Sequence, residues 1–229
     1  MTAGLLVCDY TLPKWQAQFG DYSDMFTQLF PEFDWRFYEV QKGQFPKNVE
    51  DCEVYFSTGS RHSVYDDLPW IAALKVFIQE LQVREHYFVG FCFGHQILGE
   101  ALGGKVEKAA QGWSVGVQTF EIKSPKAWMQ PFQDQINLLM MCQDQIIKLP
   151  PQAEVLGSSD RCPIGLFQVG EKMLGIQAHP EFSKAYDRVL MESRRHTMGD
   201  TIVDGGIASL EMEVHRAVIR NWVLRFLGE

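Results

Sequence analysis

The chain has 229 residues, of which 46% are hydrophobic and 22% charged, a composition typical of a soluble globular protein; we expect one domain over residues 1–229. Its net charge of −8, without a cluster of Lys or Arg, argues against nucleic acid as a partner. No apolar run approaches the ~20 residues of a membrane helix, and the N-terminus lacks the basic start of a signal peptide. We therefore expect a cytoplasmic protein with no membrane partner.

The first half of the chain alternates between strand and helix patterns. Apolar runs bounded by turn residues predict strands over residues 5–10, 35–40, 53–57 and 87–91. Apolar residues at helical spacing predict helices over 21–30, over 69–81 starting at Pro69, and from Cys92 to Gly103-Gly104. This alternation predicts an α/β fold, a three-layer sandwich with a mostly parallel central sheet between helices.

The second half of the chain changes character. Residues 115–122 and 136–149 have the pattern of extended strands, and 163–169 and 173–178 predict a hairpin across Gly170-Glu171. These segments would add antiparallel strands to the sheet. Two helices, over 184–198 and 207–227, are predicted to close the chain, and the least regular segments are 11–20, 41–48 and 200–206.

Cys92 lies between a predicted strand and a predicted helix, in the pattern Gly90-x-Cys92-x-Gly94. This is the spacing of the Gly-x-Ser-x-Gly nucleophile elbow, in which small neighbours allow a strained strand-to-helix turn. The turn would place the sulfur at the carboxyl end of the sheet and at a helix N-terminus, which stabilises a thiolate. The amide of Phe93 would point at the same spot and could donate to an oxyanion. A buried structural cysteine at a tight turn is the alternative.

The other cysteines give no sign of a metal or disulfide framework. No Cys-x-x-Cys pair occurs, so we expect reduced thiols and no zinc site. The five cysteines are Cys8, Cys52, Cys92, Cys142 and Cys162.

His179 is the histidine best placed to serve a thiol nucleophile. It follows the apolar residues 173–178 and precedes Pro180-Glu181. Residues two apart in an extended segment share a face, so Glu181 can accept the second ring N–H and fix the tautomer, as the third member of a triad does. A surface histidine at a strand end is the alternative.

Together, the segment Gly90-Phe91-Cys92-Phe93-Gly94-His95-Gln96 and the segment Ala178-His179-Pro180-Glu181-Phe182 resemble the class I glutamine amidotransferase family. The segment Phe56-Ser57-Thr58-Gly59-Ser60 falls where that family has its oxyanion-hole glycine. The resemblance covers most of the chain and implies a flavodoxin-like class I glutamine amidotransferase fold.

The resemblance also implies a role for six residues. Cys92 would be the nucleophile, His179 the base and Glu181 its partner. The amides of Gly59 and Phe93 would form the oxyanion hole, and Gln96, one helical turn past Cys92, would help hold the substrate. No metal and no organic cofactor is expected.

The implied reaction is hydrolysis of the γ-glutamyl amide of glutamine through a thioester, with release of glutamate and ammonia. Within the family, the chain looks most like stand-alone members, namely GMP-synthase-like amidotransferase domains and plant γ-glutamyl peptidases. The segments Gly112-Trp113-Ser114-Val115-Gly116-Val117 and Asp66-Asp67-x-x-Trp70 carry this likeness. Two alternatives are a γ-glutamyl peptidase acting on γ-glutamyl peptides or conjugates, and a catalytically silent binding or regulatory subunit.

The expected ligand and partner follow from these possible functions. The ligand is glutamine or another γ-glutamyl small molecule, and an amidotransferase would need a separate synthetase subunit to receive ammonia. Relatives usually carry His where this chain has Cys142, in Cys142-Gln143-Asp144, near the substrate's α-amino and α-carboxylate end. The loop 60–68, with Arg61 and His62, would either border the leaving group or be a plain surface loop.

Overall fold

A nine-stranded sheet flanked by helices forms the body of the protein in the computed structural model, which describes residues 1–229. The helices are α1 (Pro13–Phe19), α2 (Tyr22–Leu29), α3 (Pro69–Val83), α4 (Phe93–Ala101), α5 (Lys184–Ser193), α6 (Arg195–Met198), α7 (Asp200–Ser209) and α8 (Arg216–Phe226). The strands are β1 (Thr2–Leu6), β2 (Asp34–Tyr38), β3 (Val54–Ser57), β4 (Tyr87–Phe91), β5 (Lys105–Lys108), β6 (Ser114–Ile122), β7 (Gln135–Cys142), β8 (Asp144–Lys148), β9 (Ala153–Ser159), β10 (Cys162–Val169) and β11 (Met173–Ile176). Short 3-10 turns lie at Val40–Lys42 and Val49–Asp51.

The large sheet has a parallel half and an antiparallel half. Its strand order is β2-β1-β3-β4-β11-β10-β9-β6-β7. The pairs from β2 to β11 are parallel, and the pairs from β11 to β7 are antiparallel. The predicted α/β fold is confirmed, with an antiparallel part as large as the parallel part. Strands β5 and β8 form a separate two-stranded sheet.

Apolar side chains cover both faces of the parallel half. On one face, Phe26 of α2 and Trp222 of α8 share a buried cluster with Phe56 and Phe91 of the sheet. On the other face, the apolar stripe of α3 and the residues of α4 form a second buried cluster. Burying a large apolar side chain contributes about 1.5–3 kcal/mol, so these two layers hold α4, and with it Cys92, firmly against the sheet.

Several predicted elements differ from those observed. The predicted strand over 136–149 is two strands, β7 in the large sheet and β8 in the small one, because the chain leaves one sheet after Cys142 to pair with β5. The predicted helix over 184–198 breaks at Arg194, and the one over 207–227 is interrupted between Ser209 and Arg216. Residues 11–20 and 200–206, expected to be irregular, contain α1 and most of α7. The first strand occupies residues 2–6, not 5–10, and β5 and β9 were not predicted.

None of the helices combines the length and the apolar character needed to cross a membrane.

Candidate active site

Cys92 occupies a strained turn between β4 and α4. Its φ of 50° and ψ of −103° lie in a region that ordinary residues avoid. Flanking glycines permit this turn, because a Cβ on Gly90 would come within 2.2 Å of the Gly94 carbonyl oxygen, and a Cβ on Gly94 within 2.7 Å of the Ser57 carbonyl oxygen. The Cys92 amide donates to the Ile176 carbonyl at 2.9 Å, which ties the turn to β11. The backbone therefore fixes the direction of the thiol.

His179 and Glu181 form a buried pair beside this turn. Nδ1 of His179 lies 2.7 Å from Oε1 of Glu181, and both side chains are at most 3% exposed. The His179 amide donates to the Leu139 carbonyl of β7 at 2.9 Å. The Phe182 ring stacks on the imidazole with centroids 4.0 Å apart. These contacts fix the ring and leave Nε2 as the nitrogen available to Cys92.

The charges around His179 favour its protonated form. Burial works against a charged ring, but negative charge on Cys92 and on Glu181, together with the hydrogen bond to Glu181, outweighs it and raises the pKa of His179 to about 10. A protonated imidazole between a thiolate and a carboxylate can deliver its proton to a departing nitrogen.

Two backbone amides near Cys92 have no acceptor within the protein. Neither the Gly59 amide nor the Phe93 amide, the first of α4, donates a hydrogen bond. The loop that carries Gly59 is held by Thr58, whose hydroxyl accepts from the Cys8 amide at 3.0 Å and donates to the Gly59 carbonyl at 2.9 Å. A Cβ on Gly59 would lie 3.0 Å from Cε1 of His179 and 3.7 Å from Cβ of Cys92, so this glycine lies directly against both side chains.

A cavity of about 340 Å³ opens onto Cys92 and Gln96. Gln96 does not point freely into it, because its Nε2 donates to the Asp144 carbonyl at 2.7 Å and to Oε1 of Gln177 at 3.2 Å. Its own Oε1 remains as an acceptor for a ligand N–H. Cys142 also lines the cavity; burial, and then the charges of Cys92 and Cys162, raise its pKa well above the ordinary value, so it stays a neutral thiol.

The loop after Gly59 lines the same cavity through residues 60–63. Asp9 holds it in place, because its carboxylate accepts from the Arg61 amide at 2.9 Å and from Nε of Arg61 at 2.8 Å. His62 lies 3.3 Å from the Asp66 carboxylate. The loop is therefore part of the cavity wall.

The lining residues that were not predicted as site residues include Lys108, Trp113, Arg194 and Thr197. They come from the end of β5, the approach to β6 and the junction of α5 and α6. Trp113 lies in the segment 112–117 that carries the likeness to stand-alone family members, whereas Lys108, Arg194 and Thr197 belong to no local motif, so the sequence gives no signal that they meet.

His95, the histidine of α4, does not line the cavity. His95 is fully buried edge-on against Phe167, with centroids 4.9 Å apart, and burial lowers its pKa to about 3. No three His, Cys, Asp or Glu side chains are grouped so that they could hold a metal ion.

The chain is similar to known proteins over most of its length. The profile of the family described as Glutamine amidotransferase class-I matches residues 66–193. Gamma-glutamyl peptidase 3 of Arabidopsis thaliana is 30% identical over 81% of this chain and 80% of its own length. Gamma-glutamyl peptidase 2 of the same plant is 32% identical over 74% of this chain and 71% of its own length. The crystal structure of a glutamine amidotransferase from Thermotoga maritima superposes with a TM-score of 0.77 at 19% identity, covering 100% of both chains. The chain belongs to the class I glutamine amidotransferase family.

Proposed function

We propose that this protein hydrolyses γ-glutamyl amide bonds, with Cys92 as nucleophile, His179 as general acid and base, and Glu181 as the residue that orients His179. The observation that carries the proposal is the buried imidazole held between Glu181 and a thiol on a strained turn that opens into a cavity. The unpaired amides of Gly59 and Phe93 support it as the oxyanion hole.

The reaction proceeds in two half-reactions. The Cys92 thiolate attacks the side-chain carbonyl carbon of the γ-glutamyl group, and the two free amides stabilise the negative oxygen, each by about 3–4 kcal/mol. The C–N bond breaks as His179 transfers its proton to the departing nitrogen, which leaves a γ-glutamyl thioester on Cys92. His179 then takes a proton from water, the hydroxide adds to the thioester carbon, and the C–S bond breaks to release glutamate and restore the thiolate.

Two leaving groups are compatible with this chemistry. With glutamine the product is ammonia, and an amidotransferase role would require a separate synthetase subunit as acceptor. With a γ-glutamyl peptide the product is an amino acid or peptide and no partner is needed. The relatives named gamma-glutamyl peptidase, which align over most of the chain, favour this second candidate.

The extent and location of the protein are part of the proposal. Asp9, near the start of the chain, and Arg194, near its end, both support the walls of one cavity, so we take residues 1–229 as a single domain. All five cysteines are free, which suits a reducing compartment such as the cytoplasm.

Covalent labelling tests the proposed nucleophile. A glutamine-analogue chloroketone should add once per chain, on Cys92, as located by peptide mass spectrometry. The variant Cys142→Ala is the matched control, because it removes the other cysteine of the cavity and should keep the adduct, whereas Cys92→Ala should lose it. Absence of an adduct on Cys92, together with no glutamate release from glutamine or γ-glutamyl dipeptides, would instead identify a silent binding subunit.

A further inference from the structure

Two cations that form no salt bridge line the cavity at Cys92. Lys108 and Arg194 both line it, and neither forms an ion pair, whereas Arg61 in the same wall lies 2.7 Å from the Asp9 carboxylate. The chain as a whole carries a net charge of −8, so unpaired cations beside the nucleophile are a local departure from its acidic surface. Such a focus of positive charge favours an anionic ligand.

Lys108 lines the cavity close to an acidic residue, Asp144. It is the register partner of Asp144 across the β5–β8 ladder, and the Asp144 carbonyl accepts the Gln96 amide at 2.7 Å. This part of the cavity therefore offers the Lys108 cation, the Oε1 acceptor of Gln96 and the Asp144 carboxylate, one oxygen of which already accepts from the Ser63 hydroxyl. Lys108 can bind the α-carboxylate of a γ-glutamyl group, and Asp144 can bind its α-ammonium group. The γ-glutamyl group then has no further charge that could bind Arg194.

Arg194 lines the cavity from the end of α5. The backbone of His179 is bonded to β7, and α5, which begins five residues later, packs on β7 through an apolar cluster that includes Leu139, Met141 and Leu190. Arg194 follows at the end of α5, where its amide donates to the Leu190 carbonyl at 3.2 Å. In the proposed reaction His179 protonates the departing nitrogen, so we expect the leaving group to lie near β7 and the helix α5 that packs on it.

The acids near the junction of α5 and α6 form salt bridges with Arg195, and none forms one with Arg194. The Arg195 guanidinium forms salt bridges with Glu192 at 2.9 Å, Asp200 at 3.1 Å and Asp204 at 2.8 Å. Arg194 is half-buried, lines the cavity and forms no salt bridge, although its charge also acts on the buried Asp187. A guanidinium binds a carboxylate through two parallel hydrogen bonds, which makes it a selective receptor for that group.

We propose that Arg194 binds a carboxylate on the leaving amine, so that the preferred substrates are γ-glutamyl amides of amino acids or peptides, not glutamine. This inference rests on the γ-glutamyl hydrolysis proposed above and specifies its substrate class. The charges agree, because a γ-glutamyl amino acid carries two carboxylates and one ammonium, which match Arg194, Lys108 and Asp144. Glutamine has only one carboxylate and leaves Arg194 without a partner.

Two substrates that differ only in this carboxylate test the proposal. γ-Glutamylglycine and γ-glutamylmethylamide share the acyl group and the scissile bond, and glutamate release gives kcat/KM for each. We expect the wild-type protein to prefer γ-glutamylglycine by about tenfold to hundredfold, the range of a charge-assisted hydrogen bond. In Arg194→Met, which keeps the apolar stem, this ratio should fall to about one, and Arg194→Lys should restore part of it.

The ratio does not depend on how much of a variant is folded, and Arg195→Met is the matched control that should retain the wild-type ratio. A wild-type ratio near one, or an unchanged ratio in Arg194→Met, would overturn the role of Arg194 while leaving the proposed function intact. Failure of the proposed function looks different, because neither amide would then be cleaved and Cys92 would take no chloroketone adduct, and the inference would fall with it.

Discussion

Asp187 provides the sharpest stability prediction, because it is a carboxyl group buried without a partner. It lies on α5 with no exposed surface, and neither of its carboxylate oxygens has a hydrogen-bond partner. Burial raises the pKa of Asp187 from 3.8 to about 7, although the positive charges of His179 and Arg194 oppose the rise. The folded protein therefore holds a proton on Asp187 over a pH range in which the unfolded chain has lost it.

The sign of the effect follows from proton linkage. From pH 3.8 to about 7 the folded state binds more protons at Asp187 than the unfolded state, so the free energy of unfolding falls as pH rises through this window and then stays lower. At 1.36 kcal/mol per pKa unit, the loss amounts to roughly 4 kcal/mol. Asp187→Asn removes the ionisation, so the stability of the variant relative to wild type should increase by up to that amount between about pH 4 and pH 8.

Urea unfolding at a series of pH values measures this difference. Any constant effect of the amide on packing cancels when the difference is followed across pH. Asp160→Asn, at an exposed aspartate, is the matched control and should give a difference that does not change with pH. The reasoning is refuted if the Asp187→Asn difference is equally flat, since the folded state would then accommodate the carboxylate at no cost.

Three further changes test the candidate site. Glu181→Gln should lower the pKa of His179, because it removes a charge that raises it, and should reduce kcat for glutamate release by about a hundredfold or more; an NMR titration with kinetics checks both. Gly59→Ala would place a methyl group 3.0 Å from Cε1 of His179, so we expect at least a tenfold loss of kcat with little change in Tm, and an unaltered kcat would contradict the close approach. Gly94→Ala would bring a Cβ within 2.7 Å of the Ser57 carbonyl oxygen and should cost about 1–3 kcal/mol in urea unfolding, whereas wild-type stability would mean that the turn can relax.

The close approach of Cys92, His179 and Glu181 could be predicted because the sequence signals for these residues are local. The elbow around Cys92 is specified by glycines two residues away on each side, and the observed close approaches of Gly90 and Gly94 explain that spacing. His179 and Glu181 are also two residues apart, and their 2.7 Å contact follows from the extended backbone between them. The roles of these residues as a triad stay a prediction until Cys92 is labelled or replaced.

The rest of the cavity wall, beyond the loop after Gly59 and residues 142–144, could not be predicted, because it depends on contacts between distant segments. Arg194 is adjacent in sequence to another arginine, and only the positions of three acids decide that Arg195 is paired and Arg194 is not. The division of residues 136–149 between two sheets depends likewise on β5, nearly forty residues earlier, which takes β8 as its partner. Short helices such as α1 have too few turns to give a periodic apolar pattern.

The two halves of the sheet contribute different parts of the proposed reaction. Gly59 and Cys92 follow the parallel strands β3 and β4, whose carboxyl ends fix the oxyanion hole and the nucleophile. His179 is bonded to β7, and Arg194 ends the helix that packs on that strand, so we expect the antiparallel half to border the leaving group. Arg194 and the elbow line one cavity but belong to different parts of the fold. We therefore expect a substitution at Arg194 to change the preference for the leaving group without changing thioester formation. For this reason the ratio of kcat/KM between γ-glutamylglycine and γ-glutamylmethylamide reports on Arg194, whereas the rate on either substrate alone does not.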